Sequence, residues 1–249
     1  MPRTTITRAL AAVALLLLSG APRAGAAELD ADMALRLAIM EKKPEALAAI
    51  ALLDGATIDA RALLLVAAAN DRSDCIQAML DRGATIARAD DDGCQAIHRA
   101  AHHHAVAAIS LLMARGAQVD ARDRFANTPL MDAADEGDLE LVRLLVLRGA
   151  DVDAVNSSHA SAVYAAAARG CLPVVSALIE AGAHPDQRQV SGTTAFMVAA
   201  LYGNAPVVQY LAEHGADVHA RSSDGADAWA LAAKYPPEHP VHAVLDRLR

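Results

Sequence analysis

A Gly-Ala pair returns at Gly55, Gly83, Gly116, Gly149, Gly182 and Gly215, at intervals of 28 and then four times 33 residues. Ala-Ala pairs keep step with it at Ala100-Ala101, Ala133-Ala134, Ala166-Ala167, Ala199-Ala200 and Ala232-Ala233. A fixed period of this length marks one supersecondary unit copied along the chain, each copy too small to bury its apolar face alone. The clearest copy is Phe125–Asp151. Its Thr128-Pro129-Leu130 turn opens a small-residue helix containing Ala133-Ala134, and Gly137 breaks that helix. A second helix runs from near Leu139 to Leu147, and Gly149-Ala150 closes the unit.

The residue types explain the plan. Alanines on the first helix let neighbouring helices approach closely. The glycine after the second helix suits a left-handed C-cap, which costs most other residues about 1 kcal/mol or more. Such short helices are marginal alone, since isolated helices need roughly 12–15 residues, so stacking must hold them. The second helices carry the inward apolar sets Leu141, Val142, Leu144 and Leu145, then Val174, Val175, Leu178 and Ile179, then Val207, Val208, Tyr210 and Leu211. Asp138 can cap its second helix, and Pro173 and Pro206 stand 33 residues apart at matching helix starts.

A 33-residue period of turn plus two short helices resembles the ankyrin-repeat family, over nearly everything after the first 27 residues. Pro129 stands at the proline of that family's TPLH motif, which Ala96, Ala162, Ala195 and Ala228 replace elsewhere. His98 stands at the motif's histidine, where the resemblance implies a structural side chain bonded to turn backbone. His104 aligns with Gly137, Gly170 and Gly203, a position suited to positive φ. The implied fold is an all-α ankyrin-repeat α-solenoid of helix-turn-helix repeats joined by β-turn fingers, one continuous array with an extended concave face. Its units would be 28–59 as N-terminal cap, 60–90, 91–123, 124–156, 157–189, 190–222 and 223–249 as C-terminal cap. Leu35, Leu37, Ala38 and Ile39 fall on the first helix of the N-terminal cap, Pro44 begins its second, and Lys42 and Lys43 make its edge polar. The unit ending at Gly83 is five residues short, in its finger, which should notch the face there. In the C-terminal cap, Trp229 aligns with Ile97, Leu130, Val163 and Phe196 and is expected to pack the last interface, and Pro236-Pro237 replaces the inter-helix glycine turn.

Residues 1–27 have the pattern of a cleavable secretory signal peptide. Arg3 and Arg8 precede the apolar run Ala9–Leu18, and Ala24-Gly25-Ala26 and Gly25-Ala26-Ala27 offer small-residue cleavage sites. The run is shorter than the roughly 20 residues of a membrane span. The expected product, 28–249, is exported, to the periplasm in a Gram-negative source, spans no membrane and is monomeric alone. The leader also carries Arg23 and no acid, so its removal leaves 19 basic against 30 acidic residues, a net charge of −11. With few aromatics and no basic stripe, nucleic acid is excluded as a partner.

Export permits disulfides. Cys75 on a second helix, Cys94 near a finger and Cys171 at an inter-helix turn fall too far apart to be bridged. Asp90-Asp91-Asp92 reads as a solvated finger, lacking the later ligands of a calcium loop. The run His98 to His104 contains an i,i+4 pair, His98 and His102, so a metal-binding protein is the alternative of another class. No GxSxG elbow, HExxH helix, phosphate-cradling glycine loop or redox CxxC occurs, so neither an enzyme nor a cofactor is expected.

In ankyrin proteins the finger tips and the exposed first-helix positions read the partner. The resemblance carries that role to Arg99, His102 and His103, to Asn127, Asp132, Asp135 and Glu136, to Arg169, to Thr193, Val198, Leu201 and Tyr202, and to Lys234 and Tyr235, with Arg122, Asp123, Arg124 and Phe125 around one finger. Val198, Leu201 and Tyr202 are expected to be apolar groups that the core does not need. The reading is a non-enzymatic protein-interaction scaffold of the cell envelope. Its likeness to exported bacterial ankyrin proteins implies two narrower alternatives: an immunity or inhibitor protein against a secreted toxin, or an accessory of periplasmic oxidative-stress protection.

Overall fold

The computed structural model describes residues 62–249 throughout and, before them, residues 33, 35–43, 45–51, 53, 58 and 59. The expected leader, Pro44, Gly55 and most of the shortened finger lie outside the described residues. The chain divides into two compact units, Met1–Gln118 and Val119–Arg249.

In the first unit, residues 35–40 are helical. Five helices follow: α1 (Glu45–Ile50), α2 (Leu63–Ala69), α3 (Ser73–Asp81), α4 (Ala96–His102) and α5 (Val106–Ala114). First helices pack on first helices, α2 on α4, and second helices on second helices, α1 on α3 and α3 on α5. Arg72 couples the N-terminal repeat to the next. The residue is 5 % exposed, and its guanidinium donates to the Ile39 carbonyl at 2.8 Å and forks onto both oxygens of Asp74, also at 2.8 Å. It thereby adds a charged donor to an end carbonyl of helix 35–40 that otherwise accepts the Lys42 N–H at 3.2 Å.

The second unit repeats the plan with α6 (Pro129–Asp135), α7 (Leu139–Leu147), α8 (Ala162–Arg169), α9 (Leu172–Glu180), α10 (Ala195–Leu201), α11 (Ala205–Glu213), α12 (Ala228–Ala232) and α13 (Pro240–Leu245), closed by a 3₁₀ turn at Asp246–Leu248. α6, α8, α10 and α12 form one row and α7, α9, α11 and α13 another. The first row meets through Ala133, Ala134, Ala166, Ala167, Ala199 and Ala200, all without solvent contact. The second row buries Leu141, Val142 and Leu145 and their equivalents Val174, Val175, Leu178, Val207, Val208 and Leu211. Each contributes ~1.5–3 kcal/mol by leaving water. Leu144, Ile179 and Tyr210, expected inward, are only half-buried, because three positions already fill the stripe of so short a helix.

Local chemistry starts many of the helices. Thr128, Ser161, Thr194 and Asp227, spaced by 33, accept the N–H of Met131, Tyr164, Met197 and Ala230. Asp138 caps α7 through Leu141 N at 3.0 Å, and Pro173 and Pro206 occupy second positions of their helices, where the missing N–H costs nothing. His98 is buried, and its Nδ1 accepts the Gln95 N–H at 3.2 Å. His104 takes φ 57°, matching Gly137, Gly170 and Gly203.

Between units of the repeat, fingers bond laterally. Ser157 donates to Phe125 O at 2.8 Å, Val190 to Ser158 O at 3.0 Å and Ser223 to Ser191 O at 2.8 Å. Asp123 and Asn156 fold their own fingers, each accepting two backbone N–H groups through Oδ1. Among the described residues the only β pairing is two isolated bridges, Ala89 with Gln95 and Val155 with Ser161. The last repeat departs from its siblings. α12 stops at Ala232, so Ala233 is exposed, and Trp229 is half-buried where Ile97, Leu130, Val163 and Phe196 are fully enclosed.

Candidate functional site

The ends of the first helices supply the surface that the core leaves over. Residues 103, 136, 169, 202 and 235 share one repeat column. His103, Glu136, Arg169 and Tyr202 are exposed, and Tyr235 is half-buried, donating its hydroxyl to Leu201 O at 3.2 Å. One step back, His102, Asp135 and Leu201 are half-buried and Lys234 is exposed. In the second unit this surface is contiguous, because α6, α8, α10 and α12 touch in sequence.

Its members couple across repeats. Arg169 forks onto Asp135, Nε to Oδ1 at 3.1 Å and Nη2 to Oδ2 at 2.9 Å. Both side chains are about half exposed (56 % and 47 %), so the pair contributes only ~0–1 kcal/mol. Lys234 Nζ lies 5.5 Å from the Tyr202 ring and 5.1 Å from the Tyr235 ring, and His239 stacks on Tyr235 at 4.4 Å. Tyr164, missed from the sequence, belongs to this cluster. Its own burial, and then the neighbouring Tyr202, push its phenol up. The one available signal was a tyrosine where the repeat siblings Met131 and Met197 are buried.

Two residues read as partner contacts are instead interior. Asp132 is 5 % exposed and Val198 is 1 % exposed. They share a column with Arg99, which is half-buried and held by Asp90 through Nε at 2.9 Å and through Nη2. That column points back into the unit, so Val198 is core and Asp132 is withdrawn from solvent. On the finger, Phe125 is 51 % exposed beneath the Arg124 guanidinium at 4.5 Å. Asn127 is half-buried and structural, donating to Asp123 Oδ2 and accepting from Asn156. Arg122 ties its finger to the next through Val155 O at 2.8 Å, and Thr193 is half-buried.

The histidine run does not assemble. His98 is buried with Nδ1 engaged, while His103 and His104 are exposed. Among the described residues no group of three or more His, Cys, Asp or Glu side chains is placed to hold a metal ion. Cys75, Cys94 and Cys171 are thiols rather than disulfides. No helix among the described residues is long and apolar enough to cross a membrane.

A family model described as ankyrin repeats (3 copies) matches residues 9–123 and 130–222. The chain belongs to the ankyrin-repeat family. The match begins inside the stretch read as a leader and covers parts of both compact units. A comparison with curated proteins finds no match. Ankyrin repeats generally mediate protein–protein interaction, and proteins built from them are typically non-enzymatic.

Proposed function

We propose that this ankyrin protein is a non-enzymatic scaffold of the cell envelope, exported by residues 1–27, that holds a protein partner against its first-helix surface and finger tips. The observation that carries this reading is the second unit's column of Glu136, Arg169 and Tyr202. It is solvent-exposed in three successive repeats, while the neighbouring Ala133, Ala134, Ala166, Ala167, Ala199 and Ala200 are sealed in the core. The exposed members change chemistry from repeat to repeat, as a surface specific for one partner requires. Tyr202, 55 % exposed beside Lys234, is the amphipathic anchor of the set.

The test is crosslinked capture from the envelope fraction with wild-type bait, Glu136→Arg and Tyr202→Ala. The proposal expects one specific product with the wild type and its loss in both variants. Equal capture by all three baits would sink the surface assignment. Recovery of a mature chain that still begins at Met1 would remove the export assignment.

A further inference from the structure

The tyrosine-lined end of the second unit holds hydrogen-bond donors that the fold does not use. Tyr202 is 55 % exposed just after α10, and Tyr164 of α8 is half-buried beside it. Among the described residues neither phenol hydroxyl has a hydrogen-bond partner, and neither is sealed from water. The third tyrosine differs: the Tyr235 hydroxyl is engaged by Leu201 O at 3.2 Å. Lys234 completes the set. Its ammonium lies 5.5 Å from the Tyr202 ring and 5.1 Å from the Tyr235 ring, and among the described residues it pairs with no carboxylate. Glu238, four residues on, is exposed and makes no ion pair with it. Arg169 is already neutralised by Asp135, which leaves Lys234 as an open positive charge at this end.

The cluster is fixed in place. His239 stacks on Tyr235 at 4.4 Å, and Gly203 leaves room for both. A Cβ on Gly203 would lie 2.8 Å from His239 Cε1 and 2.9 Å from Tyr235 Cζ. Rigid aromatic side chains offer contact area at little entropic cost.

These groups select their occupant. Phenol hydroxyls and an ammonium present donors beside flat apolar rings. The complementary backbone has unengaged carbonyls and few N–H groups. A helix uses its carbonyls internally, and a β-strand brings an N–H for every C=O. A polyproline II segment has no internal hydrogen bonds, and each proline in it offers a carbonyl and an apolar ring but no N–H. Its turn of about 9 Å also matches the roughly 8–10 Å between packed helices, so a segment crossing the row α8, α10 and α12 keeps its register.

We propose that Tyr164, Tyr202 and Lys234 bind an extended, proline-rich segment of the protein partner. Its prolyl rings rest on the tyrosines, its carbonyls accept from their hydroxyls, and one acidic side chain meets Lys234. This rests on the interaction-scaffold reading and names the chemistry of what is held.

The experiment is selection on the full chain from two displayed peptide libraries of equal length, one with proline fixed at every third position and one with alanine there. Fluorescence polarisation of the recovered peptides follows, on wild type, Tyr202→Ala, Tyr202→Phe and Lys234→Glu, each first checked for native helix content by circular dichroism. The proposal expects recovery from the proline library of peptides carrying Asp or Glu. Their binding should weaken about tenfold or more in Tyr202→Ala and Lys234→Glu. It should weaken about two- to tenfold in Tyr202→Phe, which keeps the ring and loses the donor. Recovery from the alanine library alone, from neither library, or of proline peptides indifferent to any of the three variants overturns it. The scaffold reading keeps its own readout. An envelope protein captured by wild type and lost in Glu136→Arg and Tyr202→Ala, with no proline peptide recovered, would overturn this inference alone.

Discussion

Replacing Arg72 with methionine should detach the N-terminal repeat while leaving the rest of the array folded. Methionine keeps most of the apolar stem, so the loss is confined to the guanidinium. The hydrogen bond to the Ile39 carbonyl is charge-assisted and buried, at 2.8 Å, and such bonds contribute ~1.5–3 kcal/mol. The fork onto Asp74 adds only ~0–1 kcal/mol, because the Asp74 side chain is 46 % exposed. Together the loss is ~1.5–4 kcal/mol, or about 10- to 900-fold in the equilibrium for local opening. In an array of nearest-neighbour interfaces that loss falls on the repeat at the end. Hydrogen exchange followed by mass spectrometry should show the loss of protection over residues 35–50 and none over α8. A uniform loss along the chain, or unchanged protection at 35–50, would refute the reasoning. The effect also depends on pH. The Arg72 hydrogen bonds outweigh burial and hold the Asp74 carboxyl at about 2, below its ordinary 3.8. A depressed carboxylate stabilises the fold in full above its unfolded value and loses that contribution as pH falls through the folded one. The stability gap between wild type and Arg72→Met should therefore narrow as pH falls from 3.8 towards about 2.

Three further outcomes are expected. Ala126 holds φ 60° where its repeat siblings Gly93, Gly192 and Gly225 hold positive φ without a side chain. Ala126→Gly should raise stability by ~0.5–1 kcal/mol in urea denaturation, the relief of left-handed strain less the added chain entropy. Gly192 combines φ 78° with a position where a Cβ would lie 2.8 Å from the Ser223 backbone nitrogen. Gly192→Ala should cost ~1–3 kcal/mol and expose the Ser223 amide to exchange, since that amide bonds Ser191 O. Burial pushes the Cys75 thiol up to about 11 and leaves it without solvent contact. Iodoacetamide should therefore modify half-buried Cys171 in the native protein and Cys75 only after unfolding, as read by peptide mass. Rapid native labelling of Cys75 would contradict its placement.

The sequence disclosed what the period controls and little else. The end of the Leu139–Leu147 helix at Gly149 and the left-handed His104 follow from residues that recur at 33-residue intervals or replace one that does, and the Asp138 cap follows from the residue type alone. The direction in which a single first-helix column points is not periodic information. A helix of seven residues has fewer than two full turns, so neighbouring repeats and the finger decide which side is enclosed. That is why Asp132 and Val198 looked available and are buried. The tyrosine cluster was hidden for a related reason. Tyr164 and Tyr202 stand in different repeat columns, and only the fold sets them side by side.

Excision of one whole repeat tests the nearest-neighbour claim most directly. Deleting residues 157–189 joins Asn156 to Val190, so the Val190 N–H stands where Ser157 donated to Phe125 O, and Asn204 takes the place of Cys171 beside Gly137. The shortened chain should keep a helical circular-dichroism spectrum, reduced by the share of α8 and α9, and unfold in a single cooperative transition at somewhat lower denaturant. A chain that loses its helicity, or that unfolds without a cooperative transition, would show that the repeats are not interchangeable neighbours.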